Sequence, residues 1–168
     1  MESNEELVHK MIQFVSEIGI NVSFGIIPKE KEFLPGICIH QSGLLIDVNS
    51  LTNPGDILHE AAHIAVAKSS DRLLMDGVLQ TNTDKSAGEE MMAIAWSYAA
   101  AIHLKLDPLI VFHENGYKDG GSTIVNNFSE GRYFGLPLLQ WVGMSLDEKN
   151  ATEQNLEPFP KMLRWLRD

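Results

Sequence analysis

Cysteine is almost absent from this chain: Cys38 is the only one among 168 residues, which excludes an internal disulfide. Flanked by Ile37 and Ile39, it reads as a small buried strand residue rather than a ligand or nucleophile. Positive charge is scarce as well. Lys and Arg number 13 against 23 Asp and Glu, a net charge of −10, so there is no basic surface to displace counterions from a nucleic acid. No apolar run approaches the ~20 residues that span a bilayer. The opening Met1-Glu2-Ser3-Asn4-Glu5-Glu6 has neither the basic nor the apolar stretch of a secretion signal, so a cytoplasmic protein with no nucleic-acid or membrane partner is the expectation. Repeats, low-complexity segments and long linkers are also missing. Residues 1–168 therefore read as one domain, and 44% hydrophobic with 21% charged residues suits a chain that buries a single core.

What is present is His59-Glu60-Ala61-Ala62-His63. On a helix, residues at i and i+4 share a face, so both imidazoles can point at one ion about 2.0–2.1 Å from each. Glu60 is turned only about 100° from His59 and can reach a water beside that ion as general base. The motif needs a helix to work, and residues 54–68 read as one. Asn53 suits the N-cap, Pro54 the first helical position and Asp56 the first turn, and the Ala-rich run that follows has no breaker. The run is apolar nearly all round, which places the histidines on a buried element. Two satisfied core histidines are the competing explanation, but a carboxylate buried beside them is costly without a partner.

A third ligand lies downstream. Ser86-Ala87-Gly88-Glu89 has the pattern of a capping box opening a helix over 87–104, which gives Glu89 the local task of folding back on the cap. Glu90 has no such task and shares a face with Ala93, Ile94, Ser97 and Ala101, small enough for another helix to approach closely. His59, His63 and Glu90 then complete a three-ligand site with a fourth position open to water. The alternative is that both glutamates are solvated first-turn acids.

The HExxH run, followed 27 residues after His63 by Glu90-Met91-Met92-Ala93-Ile94-Ala95-Trp96-Ser97, resembles the ImmA/IrrE-type metallopeptidases, whose second helix carries E-x-x-A-N-x-F-A. The matched region is roughly residues 43–105. The resemblance implies that His59, His63 and Glu90 bind zinc and that Glu60 is the catalytic base. The family's Gly before the second histidine is Ala62 here, its Asn is Ile94 and its Phe is Trp96, and no Met-Pro ending follows, as in a divergent branch. Transcription-regulating members of the family often carry a DNA-binding module, for which no segment is spare in this chain.

Elsewhere, residues 5–18 read as an amphipathic helix with Leu7, Met11, Phe14, Val15 and Ile18 inward, ended by Gly19. Residues 21–27 read as a strand, Lys29 to Glu32 as a solvated loop, and 36–40 and 43–48 as a hairpin with His40 exposed near its turn. A short helix is expected after Pro108, a turn-rich loop over 115–121, a helix over 122–130, packed core over 135–142 and a polar loop over 147–157. Pro160 is expected to open a last amphipathic turn, with Arg164 and Arg167 outside. Hydrolysis also needs a donor for an oxyanion. Tyr98, His103, His113, Tyr117, Arg132 and Tyr133 are candidates, with Tyr133 and His113 best placed to fold back over the site.

The expected fold is α+β and zincin-like: a small sheet with several helices, the metal site lying between helices 54–68 and 87–104. The expected function is zinc-dependent hydrolysis of a peptide bond in a peptide or protein substrate, with one zinc per chain. A non-catalytic, metal-stabilised regulatory or protein-binding module is the alternative. An all-helical interaction domain without metal would instead pair Glu60 and Glu90 with Arg or Lys.

Overall fold

Helix α1, Asn4–Glu17, starts where Ser3 and Glu6 cap each other: the Ser3 hydroxyl accepts from the Glu6 N–H, and the Glu6 carboxylate accepts from the Ser3 N–H at 2.7 Å. It buries Leu7, Met11, Phe14 and Val15, the expected face. The computed structural model describes residues 3–76, 83–117 and 120–168, apart from the side chains of 83–86. Among the described residues no helix is long and apolar enough to cross a membrane.

The architecture is α+β. Strands β1 (Val22–Phe24), β2 (Ile37–His40) and β3 (Gly43–Ile46) form one sheet in the order β1-β3-β2. β2 and β3 are the expected hairpin, turning through Gln41 and Ser42 with φ of 48° and 64°, the left-handed geometry that matches strand twist. β1 is shorter than the sequence suggests and runs parallel to β3, a non-local pairing that local pattern does not reveal. Ile37, Ile39, Leu44 and Ile46 are buried in the main core, and Cys38 is buried opposite Leu45, as its flanks imply. His40 is not free: its Nδ1 lies 2.8 Å from Asp76 Oδ1, and Lys31 Nζ lies 3.2 Å from the same carboxylate. The segment expected to be a solvated loop thus forms a 3-10 turn, Lys29–Lys31, tied to the end of the hairpin.

The HExxH helix is α2, Asp56–Val66. It begins later than expected because Pro54 and Gly55 form a tight turn, with the Asp56 N–H donating to Asn53 O and the Ile57 N–H to Pro54 O. Gly55 is needed there: a Cβ would lie 2.0 Å from Ile110 O, so only glycine lets this end of the helix approach the 108–112 segment. At its other end the helix presents carbonyls that lack internal donors. Arg72 donates to Ile64 O at 3.1 Å and Ala67 O at 3.2 Å; Arg167 donates its N–H to Ala65 O at 2.9 Å and its guanidinium to Val66 O at 3.2 Å. Arg167 therefore does not point outward as expected. Arg72→Ala is expected to cost about 1–3 kcal/mol through carbonyls left without donors. Calorimetry should show the thermal midpoint several degrees lower, and an unchanged midpoint would mean that water serves those carbonyls equally well.

Helix α4, Thr83–His103, packs along α2. Both carry alanine at buried positions, including Ala61, Ala62 and Ala65 on one helix and Ala93, Ala99 and Ala101 on the other, which permits a close crossing. The expected capping box is overturned. α4 begins at Thr83, so Ser86 lies within the helix and Glu89 is not at its N3 position. Gly135, at φ 83°, fixes the other side of α4: a Cβ there would lie 2.1 Å from Met91 O, beside Glu90 in sequence.

The remaining elements are short: α3 (Ser69–Arg72), a 3-10 turn (Pro108–Ile110), α5 (Glu114–Tyr117), α6 (Gly121–Ser129), α7 (Leu136–Trp141) and α8 (Glu148–Gln154). α5 replaces part of the expected loop, whose Lys118 and Asp119 lie outside the described residues. α8 replaces the polar loop, because Asp147 caps it by accepting from the Asn150 N–H at 2.8 Å. In α7, Leu136 and Leu139 are core as expected, but Trp141 is exposed. No helix follows Pro160. The tail instead bridges Ser145 to Met162 and packs Trp165 against Phe14, Trp96 and His103.

Candidate metal centre

His59 and His63, one turn apart on α2, face Glu90 near the start of α4, and one donor atom from each lies within 4.8 Å of the others. The two Nε2 atoms are 3.2 Å apart, His63 Nε2 is 3.3 Å from Glu90 Oε2, and His59 Nε2 is 3.9 Å from Glu90 Oε1. A tetrahedral centre with metal–nitrogen bonds of about 2.0–2.1 Å has edges of roughly 3.3–3.4 Å. The His59–His63 and His63–Glu90 separations match that edge, and the other Glu90 oxygen faces His59 at 3.9 Å. The donor set therefore fits a divalent metal, and these residues can hold one.

The imidazoles are largely covered, with 16% and 11% of their side-chain surfaces exposed, whereas the Glu90 side chain keeps 44%. The centre thus lies at the edge of the core and is open on the Glu90 side. Burial pushes His59 down to about 3, helped by His63 beside it, and His63 down to about 4. Both rings are therefore neutral at pH 7, the state a metal requires. Burial also raises Glu90.

Glu60 adjoins His59 in sequence but is not among the converging ligands. Burial pushes its carboxyl up to about 8, and the charges of Asp56 and Glu90 act in the same direction. Among the described residues neither Glu60 nor Glu90 has a Lys or Arg partner, so the ion pairs expected of a metal-free interaction domain are missing there.

Of the candidate oxyanion donors, Tyr117 and His113 come to this region. Tyr117 Oη lies 2.9 Å from His59 Nδ1, and His113 Nε2 lies 2.8 Å from Asp56 Oδ1. Burial, with Glu90, Asp56 and Glu60 nearby, keeps the Tyr117 phenol protonated. Tyr133, one of the two preferred candidates, packs instead on Phe128 and Phe159, Tyr98 stacks on the same rings, His103 joins Phe14 and Trp165, and Arg132 pairs with Glu130. Asp56 was legible only as a first-turn acid, yet it is 3% exposed, and its Oδ2 has no hydrogen-bond partner among the described residues. The spacing of His113 and Tyr117, the same as that of His59 and His63, is the one signal that could have flagged them as neighbours on a helical turn.

These shifts set the pH dependence of the metal-free fold. Folding keeps both histidines neutral, so their contribution is present above the ordinary imidazole value of 6.5 and is lost as pH falls toward 4. Glu60 works oppositely: folding favours its protonated form, and that contribution is lost as pH rises from 4.5 through about 8. Between 4.5 and 6.5 the two histidines outweigh Glu60, with Glu90 raised in the same direction as Glu60 by a smaller shift, and above 6.5 the loss from Glu60 continues. Metal-free protein is therefore expected to melt highest near pH 6.5, and His59→Gln with His63→Gln should remove the acid-side slope. An unchanged slope in that double variant would assign acid sensitivity to other groups.

Comparison of the chain with protein-family models, curated proteins and solved structures finds no match in any of the three.

Proposed function

We propose that this chain is a zinc-dependent peptidase of the zincin type, similar in its site to the ImmA/IrrE metallopeptidases. The observation that carries this reading is the convergence of His59, His63 and Glu90, with the half-buried Glu60 next to His59 and not itself a ligand. Three protein donors with an exposed side suit a catalytic zinc, whereas structural zinc is closed by four.

When bound, zinc supplies a Lewis acid that polarises the scissile carbonyl and acidifies water. Glu60 accepts a proton from the attacking water and passes it to the departing amine. A carboxyl held near 8 in the absence of a neighbouring cation is matched to proton transfer near neutrality once a positive charge offsets its burial. His59 and His63 remain neutral donors throughout, and Glu90 contributes the one anionic ligand.

The test is a screen of zinc-loaded protein against a diverse peptide library, parent beside Glu60→Gln. Cleavage by the parent alone supports the proposal. A parent that holds zinc and cleaves nothing in the library points to the metal-stabilised binding module instead.

A further inference from the structure

The contacts around the proposed ligands extend one residue further out, and they arrive on one short element. α5 reaches α2 at both ends: His113, just before it, meets Asp56 at 2.8 Å, and Tyr117, its last residue, meets His59 at 2.9 Å. Residues 113 and 117 are a turn apart, as are 56 and 59, so the two hydrogen bonds run side by side between the helices.

The first bond has a fixed direction. The Gly116 N–H donates to His113 Nδ1 at 3.1 Å, and a ring nitrogen that accepts carries no hydrogen. His113 therefore keeps its hydrogen on Nε2 and donates it to Asp56 Oδ1. Because Asp56 is buried and its other oxygen has no partner among the described residues, breaking this bond leaves a carboxylate poorly satisfied. The pair thus pins α5 to the first turn of α2.

The second bond can run either way, because a hydroxyl both donates and accepts. If Tyr117 donates to His59 Nδ1, the imidazole hydrogen sits on Nε2, 3.2 Å from His63 Nε2, and occupies the lone pair a metal needs. If Tyr117 accepts from Nδ1–H, Nε2 is free to ligate. We propose that Tyr117 is a positioning residue for the metal centre: it accepts from His59 Nδ1, holding the ring in the tautomer that presents Nε2 beside His63 and Glu90, and the Asp56–His113 pair holds Tyr117 in place. This rests on His59, His63 and Glu90 being a metal site.

The experiment combines zinc titration of the whole chain against a competing chelator with nitrogen-15 spectra of the imidazoles, for the parent and Tyr117→Phe. Zinc-loaded parent is expected to show His59 with its hydrogen on Nδ1. Tyr117→Phe should weaken zinc binding roughly 10-fold, the low end for loss of a ligand's supporting hydrogen bond, with the metal-free melting midpoint nearly unchanged. Asp56→Ala should also weaken zinc binding, and Asp56→Asn, whose side-chain oxygen still accepts from His113, should restore it. Parent-like affinity in Tyr117→Phe with the same His59 tautomer overturns the proposal and leaves the metal site standing. A parent that binds no zinc removes the metal reading and overturns this proposal with it, an outcome distinct from a zinc-binding parent whose affinity Tyr117→Phe leaves unchanged.

Discussion

Glu60→Gln is expected to bind zinc like the parent, to melt within a few degrees of it, and to lose peptide hydrolysis by on the order of 10²–10⁴-fold. The reason lies in what the side chain does in each state. In the metal-free fold its carboxyl is held up to about 8, so at neutral pH it is largely protonated and uncharged. A glutamine has the same shape and is also neutral, and no Lys or Arg partner is lost among the described residues. The amide still hydrogen bonds but cannot accept the proton that the attacking water must surrender. Metal content, melting curves and cleavage rates of the two proteins, prepared side by side, decide the matter. Equal cleavage by both proteins would point to a contaminating protease or to a different base. Unfolding of the variant, with no cleavage by the parent, would favour the binding module.

The double substitution His59→Ala with His63→Ala is expected to abolish bound metal, and with it any stabilisation by added zinc. A ligand that binds only the folded state at 100 times its dissociation constant adds about 2.7 kcal/mol. The parent should therefore melt several degrees higher when zinc is supplied, and the double variant should not respond. Removing both imidazoles leaves Glu90 as the only remaining member of the cluster, and one carboxylate does not retain zinc against buffer. Protein purified without chelator or immobilised nickel, measured by elemental analysis, gives the direct comparison. Metal content equal in parent and double variant would remove the metal site and everything proposed on it. If Glu90→Gln keeps full metal content while the double variant loses it, the third ligand must be sought elsewhere.

The parts of this site that a reader of the sequence can place are those set by neighbours in the chain. His59 and His63 share a face because a helix repeats every 3.6 residues, and the breaker-free Ala-rich run around them makes the helix. Glu90 is legible by its side of the second helix, since facing follows from periodicity even where the helix start is misjudged. That start is misjudged because a capping box is a local pattern that any Ser-x-x-Glu satisfies, and a helix extending four residues further back overrides it. α8 is hidden for a related reason: its residues are polar, and only the Asp147 cap marks its beginning.

Long-range partnerships are what tertiary structure alone decided. His113 finds Asp56 across 57 residues and Tyr117 finds His59 across 58, through a four-residue helix inside a stretch that reads as a turn. Arg72 and Arg167, 95 residues apart in sequence, meet at the carbonyl end of α2, and β1 joins β3 in parallel although their sequence separation gives no sign of it. The sequence by itself determined that His59 and His63 share one helix face and which side of its own helix Glu90 takes, because those follow from dihedral periodicity within one element. Which phenol meets which imidazole, and which cations close the HExxH helix, depend on how separate elements pack around a shared core, and no local pattern encodes that.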